Sequence, residues 1–282
     1  MQWTKRQIDF LVGSYPQNSA QYCASALSIS KDSVQHKVVR LGLKVSSERR
    51  SSKQSVNARM RWTEDRWNKT NVCSSQFESI ESPHVAYLLG FLWADGNIAN
   101  KDNGKYYIRL SIVEDDFNQL RKSVDLTGKW TILKRRREGR RSTIDASFNN
   151  KVVHRKMKDW GYGEKSRVSP CKVLSDLSDS LRSHWWRGFF DGDGCFYVNR
   201  NRYLYQAIVA GSEFQDWSSY IELLGSLGIQ GKKVVRRSSH GNSSNVIMSK
   251  RSSVVKLGDY LYRNWNGIGL ARKHEKYLMA CR

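Results

Sequence analysis

The sequence predicts an α+β fold built from one unit that occurs twice, preceded by a small all-α domain. The segment YLLGFLWADGNI at residues 87–98 returns as WWRGFFDGDGCF at 185–196. Behind each copy, helical and strand-like patterns alternate in the same order, and Phe117 of the first copy corresponds to Phe214 of the second. Residues 1–44 show helical spacing alone. A duplicated unit of about 95 residues therefore explains most of the chain.

The composition is typical of a folded protein that binds nucleic acid. The 282 residues include 48 Lys+Arg against 26 Asp+Glu, a formal net charge of +22. Hydrophobic residues make up 39% of the chain and include 10 Trp, which is enough to fill a core. The commonest use of such a positive surplus is to neutralise a phosphate backbone. Nucleic acid is therefore the expected partner.

Nothing in the sequence indicates export or a membrane span. The longest apolar run, residues 85–94, is far shorter than the roughly 20 residues that cross a bilayer. The first residues lack the charged-then-apolar order of a signal peptide. The 5 cysteines are scattered, which argues against a disulfide framework and against a structural zinc site. We expect a cytoplasmic, nucleoid or organelle-matrix protein that is not secreted.

Residues 1–44 are predicted to form three short helices, at 3–12, 20–27 and 31–41. Ser19 is a suitable cap for the second helix, and Gly42 ends the third. Two helices joined by a short turn resemble a helix-turn-helix module of the Myb-like or homeodomain-like kind. A plain helical bundle has the same pattern and remains open. In the helix-turn-helix interpretation, the DNA-contacting residues are Lys31, Ser33 and Gln35.

Residues 45–83 are predicted to be a basic linker. The stretch is rich in Ser and Arg, as in SSERRSSKQS, and it has little apolar periodicity. A linker of this kind either follows phosphates or a minor groove, or acts as a solvated tether. The pattern does not discriminate between these two roles.

The first duplicated half spans 84–170 and the second spans 171–282. The first is predicted to have strands near 105–113, 130–136 and 141–148 with a helix at 115–126. The second has predicted strands at 195–198, 204–210, 232–237 and 245–249 with a helix at 214–227. Apolar and polar residues alternate along the strands, so one face of each sheet is left open. The predicted DNA-binding residues on these open faces are Lys101, Tyr107, Arg109, Lys134, Arg136, Arg200, Arg202, Gln206, Lys232 and Arg236.

The apolar segments that open each half carry the candidate chemistry. Each has small residues four positions apart, Gly90 with Ala94 and Gly188 with Gly192, so the two helices are predicted to pack along these stripes. The acidic residue that follows each stripe would then meet its counterpart. Two adjacent carboxylates repel unless a cation lies between them, and oxygen ligands with open water positions suit Mg²⁺.

Two further expectations concern the residues around the acids. Gly96 and Gly194 are predicted to end the helices in the left-handed conformation. A calcium loop at 191–194 is excluded, because Cys195 and Phe196 occupy the positions where such a loop needs a ligand and its glycine.

The segments LLGFLWADG at 88–96 and WRGFFDGDG at 186–194 resemble the two signature motifs of single-chain LAGLIDADG homing endonucleases. The resemblance implies a pseudo-twofold pair of αββαββα halves whose sheets form a saddle over the DNA major groove. It also implies a monomeric enzyme of mobile introns that cuts both strands across the minor groove. The reaction would use Mg²⁺, or another divalent cation such as Mn²⁺, and would leave short 3′ overhangs.

Carried over by residue, the resemblance makes Asp95 and Asp193 the catalytic acids and metal ligands. The predicted metal site also includes Ala94 and Gly192. A basic residue accompanies each acid in this family, and Lys165 and Lys273 resemble those residues, with Arg272 as an alternative to Lys273. The chain departs from the motif at Trp93 and Arg187, which are expected at the edge of the helix pair.

Other functions remain to be weighed against the endonuclease. A non-catalytic binder on the same scaffold, either an intron maturase that grips RNA or a transcription regulator, is the main alternative. Retention of two mutually repelling acids favours the enzyme. The ends of the chain argue against an intein, because there is no Cys or Ser at the start and no terminal His-Asn pair. The dispersed His residues give no support to a zinc or His-based nuclease.

Overall fold

The computed structural model describes residues 3–49, 75–101, 105–136, 139, 141–237 and 241–282. It divides the chain into two compact units, Met1–Lys69 and Thr70–Arg282. In the described part of the chain, no helix is both long enough and apolar enough to cross a membrane. Most of the predicted linker lies outside the described residues.

The described part of the first unit includes the helices α1 (Lys5–Ser14), α2 (Ala20–Leu27) and α3 (Lys31–Arg40). Each begins at a hydroxyl residue whose side chain accepts a backbone N–H bond, a cap that satisfies an otherwise unpaired donor. Gly42 follows α3 with a φ of +62°, a conformation that glycine adopts without strain. The three helices enclose a small core formed by Leu11, Cys23, Ala24, Val34 and Val38.

The second unit begins before the predicted boundary at residue 83. A short helix, α4 (Ser75–Glu78), carries Phe77 into the main core, and Ile80 is buried beside it. The first half then contains α5 (Pro83–Asp95), β1 (Gly96–Lys101), β2 (Lys105–Val113), α6 (Glu114–Leu126), β3 (Thr131–Arg135), β4 (Thr143–Asn149) and α7 (Lys151–Asp159).

The second half repeats this order. After the connecting helix α8 (Cys171–Ser175) come α9 (Asp179–Asp193), β5 (Gly194–Asn199), β6 (Leu204–Ser212), α10 (Ser218–Ser226), β7 (Lys232–Arg236), β8 (Ser243–Met248), α11 (Arg251–Tyr262) and α12 (Ala271–Cys281). The two sheets are antiparallel, with strand orders β1-β2-β4-β3 and β5-β6-β8-β7. The predicted α+β fold with duplicated αββαββα halves is confirmed.

Helices α5 and α9 form the joint between the halves, and their glycines set the distance between them. A Cβ atom added to Gly90 would lie 1.8 Å from the carbonyl oxygen of Trp185. One added to Gly188 would lie 2.0 Å from the carbonyl oxygen of Tyr87. The two backbones therefore touch, as they do only where small residues face each other. Every residue of α5 from Val85 to Trp93 is buried, so the joint forms the centre of the core.

The glycines that follow the two helices do not have the predicted backbone conformation. Gly96 has φ −71° and ψ 153°, and Gly194 has φ −93° and ψ 162°. Both are extended, so the predicted left-handed conformation is wrong. A Cβ atom at Gly96 would lie 2.4 Å from the Leu92 carbonyl oxygen, and one at Gly194 would lie 2.5 Å from the Phe190 ring. These glycines allow the first strand to begin against the end of its own helix.

The matching of Phe117 with Phe214 is also wrong. Phe117 is buried in α6, whereas Phe214 is exposed in a turn that precedes α10. Trp217 is buried in the second half and packs against Tyr220 of α10. The helix predicted at 214–227 begins only at Ser218 because residues 213–217 form a longer connection from the strand. A strand after Gly96 was expected from the αββαββα order, but its range was not assigned because its sequence GNIANK has little apolar alternation.

Candidate active site and nucleic-acid interface

Asp95 and Asp193 lie where helices α5 and α9 end together. A Cβ atom added to Gly192 would be 2.3 Å from the Ala94 side chain and 3.3 Å from Oδ2 of Asp95. The Asp95 carboxylate thus lies against the last turn of the opposite helix, one residue before Asp193. The structure brings both acids to the same end of the joint.

Both carboxyl groups are hard to ionise at this position. Burial, followed by the negative charge of Asp95, raises the pKa of Asp193 to about 7. Burial also raises the pKa of Asp95, while Lys165 and Lys273 act in the opposite direction. Two half-desolvated carboxylates at the negative ends of two helices form a site that favours a cation.

The two predicted lysines occupy equivalent places beside the acids. Nζ of Lys165 donates hydrogen bonds to the carbonyl oxygens of Ala94 (2.5 Å) and Gly96 (2.6 Å). Nζ of Lys273 donates to the carbonyl oxygens of Phe190 (2.9 Å) and Gly194 (2.6 Å). Each ammonium therefore lies at the end of the helix that carries its own acid, where it offsets the helix dipole.

The lysines are structural parts of the site as well as charges. Lys273 is only 6% exposed, and Lys165 is half-buried. Burial lowers the pKa of both, and it is opposed chiefly by Asp193 at Lys165 and by Asp191 at Lys273. A cavity of about 350 Å³ opens beside Lys165 and Asp193, bounded by Trp93 and by the end of β6 at Gly211. The alternative residue Arg272 instead pairs with Asp116 on the surface.

The donor set fits a hard divalent cation. The candidate ligands are oxygen atoms, two carboxylates and the adjacent carbonyls of Ala94 and Gly192, and such ligands suit Mg²⁺ or Mn²⁺. The Ala94 carbonyl also accepts the Lys165 bond, but a carbonyl oxygen has two lone pairs. Among the described residues no group of three or more His, Cys, Asp or Glu is placed to hold a metal. A cation held here would take its remaining ligands from water or a phosphate.

The strand registers show which predicted DNA-binding residues of the first half lie on the open face of the sheet and which do not. Tyr107 and Arg109 lie on the open face of the first sheet, opposite Asn149 and Ser147. Lys134 pairs with the buried Ile144 and points to the other face, where it forms an ion pair with Glu114 (2.5 Å). The predicted facing of Lys134 is therefore wrong, because the side chain on the open face belongs to the next residue along the strand.

Arg135 takes the place on the open face that was predicted for Lys134. Arg136 follows the end of β3 and is exposed, and the side chain of Lys101 lies outside the described residues. Sequence reasoning did not assign Arg135 to the open face, because a run of four basic residues gives no alternation from which to read the facing.

In the second half, Gln206, Lys232 and Arg236 share the open sheet face. The register pairs Gln206 with Tyr197, Lys232 with Ile247 and Arg236 with Ser243. Arg200 and Arg202 lie off the sheet, in a single helical turn (Arg200–Arg202) between β5 and β6. Their side chains are exposed at the end of this sheet.

Asp145 organises the arginines of the open face, and sequence reasoning missed it. It lies on the open face of the first sheet and accepts hydrogen bonds from Ser111 (2.6 Å), Arg109 (2.8 Å) and Arg135. The Ser111 bond, followed by the bonds from the two arginines, lowers the pKa of the carboxyl group. Asp145 thus holds two guanidinium groups in fixed positions on this face. The only signal was one acidic residue in the otherwise apolar and small strand TIDASFN.

In the first unit, the predicted contacts lie at the start of α3. Lys31 and Gln35 are exposed. The Ser33 hydroxyl is within 2.8 Å of Ser30 Oγ, and its backbone N–H donates to that same oxygen, so Ser33 is part of the helix cap. Val39 is 78% exposed on the same helix, and Arg40 is exposed next to it.

Comparison with solved structures finds proteins whose folds align with this chain. The homing endonuclease I-WcaI bound to its DNA recognition sequence aligns with a TM-score of 0.49 and 11% identity, covering 72% of this chain and 89% of that one. I-LtrWI bound to target DNA gives 0.47 and 16%, covering 70% and 89%. I-SmaMI bound to cleaved DNA gives 0.46 and 14%, covering 72% and 88%. All three are LAGLIDADG homing endonucleases. No protein-family model and no curated protein matches the sequence.

The two departures from the LAGLIDADG motif are buried and do not lie at the edge of the helix pair. Trp93 is 2% exposed, and its ring packs edge-on against Tyr162 at 4.9 Å. Arg187 is fully buried, and it donates to the carbonyl oxygens of Leu261 (2.6 Å) and Ile268 (2.7 Å). The expected edge position is wrong because both side chains fill the space between the joint and the last segment of their half.

Asp191 accompanies Arg187 in this buried network. It accepts hydrogen bonds from the Tyr87 hydroxyl (2.9 Å) and from the backbone N–H of Leu270 (2.8 Å). Tyr87 belongs to the first half, whereas Leu270 precedes helix α12, which carries Lys273. The network therefore ties the second motif helix both to its partner helix and to the segment that bears its lysine.

The pKa of Asp193 leads to a prediction about stability. The contribution of Asp193 to the free energy of unfolding of the metal-free protein is expected to fall as the pH rises from 4 to 7, because the folded state keeps a proton on Asp193 that the unfolded state releases near pH 4. Asp193→Asn removes the titrating carboxyl group and with it this loss of stability. The free energy of unfolding of the variant should exceed that of the wild type by an amount on the order of a few kcal/mol at pH 8, and the two should be equal below pH 4.

Urea denaturation in EDTA at pH 4, 6 and 8 measures this difference. Asp125→Asn is the matched control, because Asp125 is exposed and pairs with Arg121 on the same helix. A wild type and an Asp193→Asn variant with parallel pH profiles would contradict the prediction.

Proposed function

We propose that this protein is a site-specific DNA endonuclease that makes double-strand breaks with a divalent cation. The observation that carries the proposal is the paired end of α5 and α9, where two partly desolvated acids lie beside the half-buried Lys165 and the buried Lys273. A purely structural protein gains nothing from two acids that repel each other in a half-desolvated site. The duplication supplies both halves of the site, which supports a monomeric enzyme.

In this proposal, Asp95 and Asp193 hold the metal, together with the carbonyl oxygens of Ala94 and Gly192. Mg²⁺ or Mn²⁺ in such a site activates water and stabilises charge on a phosphate oxygen. The Lys165 and Lys273 ammonium groups balance the carboxylates and bring positive charge close to the scissile phosphates. The two open sheet faces, with Arg109 and Arg135 on one and Lys232 and Arg236 on the other, would follow the major groove. The cuts would then fall across the minor groove and leave short 3′ overhangs.

Cleavage of a randomised duplex library tests the proposal. The purified full-length protein is incubated with the library in Mg²⁺ or in EDTA, and the cut ends are sequenced. We expect discrete cuts on both strands in Mg²⁺, with short 3′ overhangs and one sequence motif, and none in EDTA. Cuts that persist in EDTA would exclude the metal-dependent mechanism. Specific binding without cuts would exclude the enzyme and direct the next experiment to intron RNA.

The N-terminal unit is proposed to add contacts to DNA outside the cleavage site. Its α3 exposes Lys31, Gln35 and Arg40. In the full chain, the double substitution Lys31→Gln with Arg40→Gln is expected to weaken binding and to reduce the slope of log affinity against log salt by about 2, since each lost phosphate contact removes about 0.9.

The matched control has the same change in charge on another helix. Lys5 and Arg6 are exposed on α1, and Lys5→Gln with Arg6→Gln is expected to leave the salt slope near the wild-type value. Fluorescence anisotropy from low to moderate salt measures both variants. Equal slopes for the two double variants would mean that α3 is not a DNA-contacting helix.

A further inference from the structure

The segment that carries each lysine is held by the opposite half. Leu270 is the N-cap residue of helix α12, which carries Lys273, and its apolar side chain cannot cap a helix. The N–H of Ala271 instead donates to Oε1 of Gln119 in α6 of the first half (2.7 Å). This bond satisfies one of the backbone donors that a helix start leaves free.

A second contact joins the same two segments. The guanidinium of Arg272 donates two hydrogen bonds to Asp116, from Nε to Oδ1 at 2.9 Å and from Nη2 to Oδ2 at 2.7 Å. This bidentate geometry fixes orientation as well as distance. The first half therefore grips the two residues that directly precede Lys273.

The reciprocal contact is present at the first lysine, although its chemistry is different. Nε2 of Gln215, in the turn before α10 of the second half, donates to the carbonyl oxygen of Lys165 (2.9 Å). The hydroxyl of Ser212 donates to the carbonyl oxygen of Ser166 (3.4 Å), and Ser169 hydrogen-bonds Ser219. The second half thus holds the backbone of the segment that bears Lys165.

We propose that Gln119 and Asp116 are positioning residues for Lys273, and that Gln215 is a positioning residue for Lys165. Each lysine then reaches the carbonyl oxygens at its own helix end only when the two halves are docked. The inference rests on the proposed endonuclease function for its effect on cleavage, but the contacts themselves can be tested without DNA. Its consequence is that a substitution in one half weakens the cut that depends on the lysine of the other half.

The two glutamines can be distinguished by conservative variants. Gln119 acts as an acceptor, so Gln119→Glu keeps the bond and Gln119→Ala removes it. Gln215 acts as a donor, so Gln215→Glu and Gln215→Ala both remove it. Glu therefore preserves the bond at position 119 but removes it at position 215. A general loss of packing would not produce this difference between the two positions. The variants are made in the full chain.

The first measurement is hydrogen exchange of the metal-free protein in the absence of DNA. In Gln119→Ala, exchange at residues 270–274 is expected to rise about fivefold, which corresponds to the loss of one hydrogen bond, while residues 164–168 stay unchanged. Gln119→Glu should match the wild type. Both Gln215 variants should raise exchange at 164–168 and leave 270–274 unchanged. Exchange that rises only within the substituted half, or in neither segment, overturns the proposal.

The second measurement is the single-turnover cleavage rate of each DNA strand. The reference variants Lys165→Met and Lys273→Met first establish which strand is cut more slowly when each lysine is removed. Gln119→Ala and Asp116→Asn should slow the strand that Lys273→Met slows, by roughly tenfold to a hundredfold, the cost of a small misplacement. Both Gln215 variants should slow the other strand. Altered exchange with unaltered strand rates overturns the positioning role. A wild type that does not cut refutes the proposed function, and the exchange pattern then decides the contacts by itself.

Discussion

Asp95→Asn and Asp193→Asn are each expected to abolish cleavage of at least one DNA strand while leaving DNA affinity nearly unchanged. The expected loss of rate is on the order of a thousandfold or more, equal to about 4 kcal/mol of transition-state stabilisation. Asparagine keeps the volume and one oxygen of the side chain, but it removes the negative charge on which a divalent cation depends. DNA affinity should persist because it comes from the basic sheet faces and not from the acids.

A supercoiled plasmid that carries the selected target measures the effect. The wild type should give linear product, and each single variant should give nicked circles or uncut plasmid. Asp125→Asn, an exposed acid in the same half, should cut like the wild type. Unchanged cutting of both strands by either site variant would refute the assignment of the acids. Circular dichroism of each variant establishes that the fold is retained.

Substitution of the joint glycines is expected to have the largest effect on stability. A Cβ atom at Gly90 or Gly188 would lie 1.8 Å or 2.0 Å from a backbone carbonyl oxygen of the opposite helix. Backbone cannot move aside as a flexible side chain does, so Gly90→Ala and Gly188→Ala must push the helices apart. The buried residues around the joint would then lose their packing, and we expect a loss of about 4 kcal/mol or more in the free energy of unfolding.

Gly225→Ala is the matched control for this experiment. Gly225 lies within helix α10, and an added Cβ atom would meet nothing within 4 Å. The control should stabilise the protein by about 0.5–1 kcal/mol, because alanine loses less backbone entropy on folding. Urea denaturation of the three variants gives the comparison. A Gly90→Ala variant as stable as Gly225→Ala would show that the helices do not approach each other as the structure describes.

The sequence by itself determined the duplication, the order of the elements and the position of the acids. These features are local or periodic: an apolar segment that ends in Asp-Gly is legible without knowledge of its neighbours. The small residues at Gly90 and Gly188 indicated a close helix pair because no other residue type permits that contact. The helices of the first unit were equally legible from caps such as Ser19.

Tertiary structure decided which side chains share a face. Strand facing depends on pairing with a neighbour, so a one-residue error exchanged Arg135 for Lys134. The role of Gly96 and Gly194 could not be read from the local sequence for the same reason. Both are required by close contact with the preceding helix and not by a left-handed dihedral angle. A single strand or turn does not contain this information.

Burial of charge was likewise set by distant partners. Arg187 and Asp191 lie inside the protein because Leu261, Ile268 and Leu270 supply backbone groups that satisfy them. The contact between Gln119 and Ala271 crosses from one half to the other, so neither half alone encodes it. The sequence therefore specifies the acids of the candidate site. The proposed placement of its lysines depends on the docking of the two halves, whose contacts are too far apart in the chain to be read from local pattern.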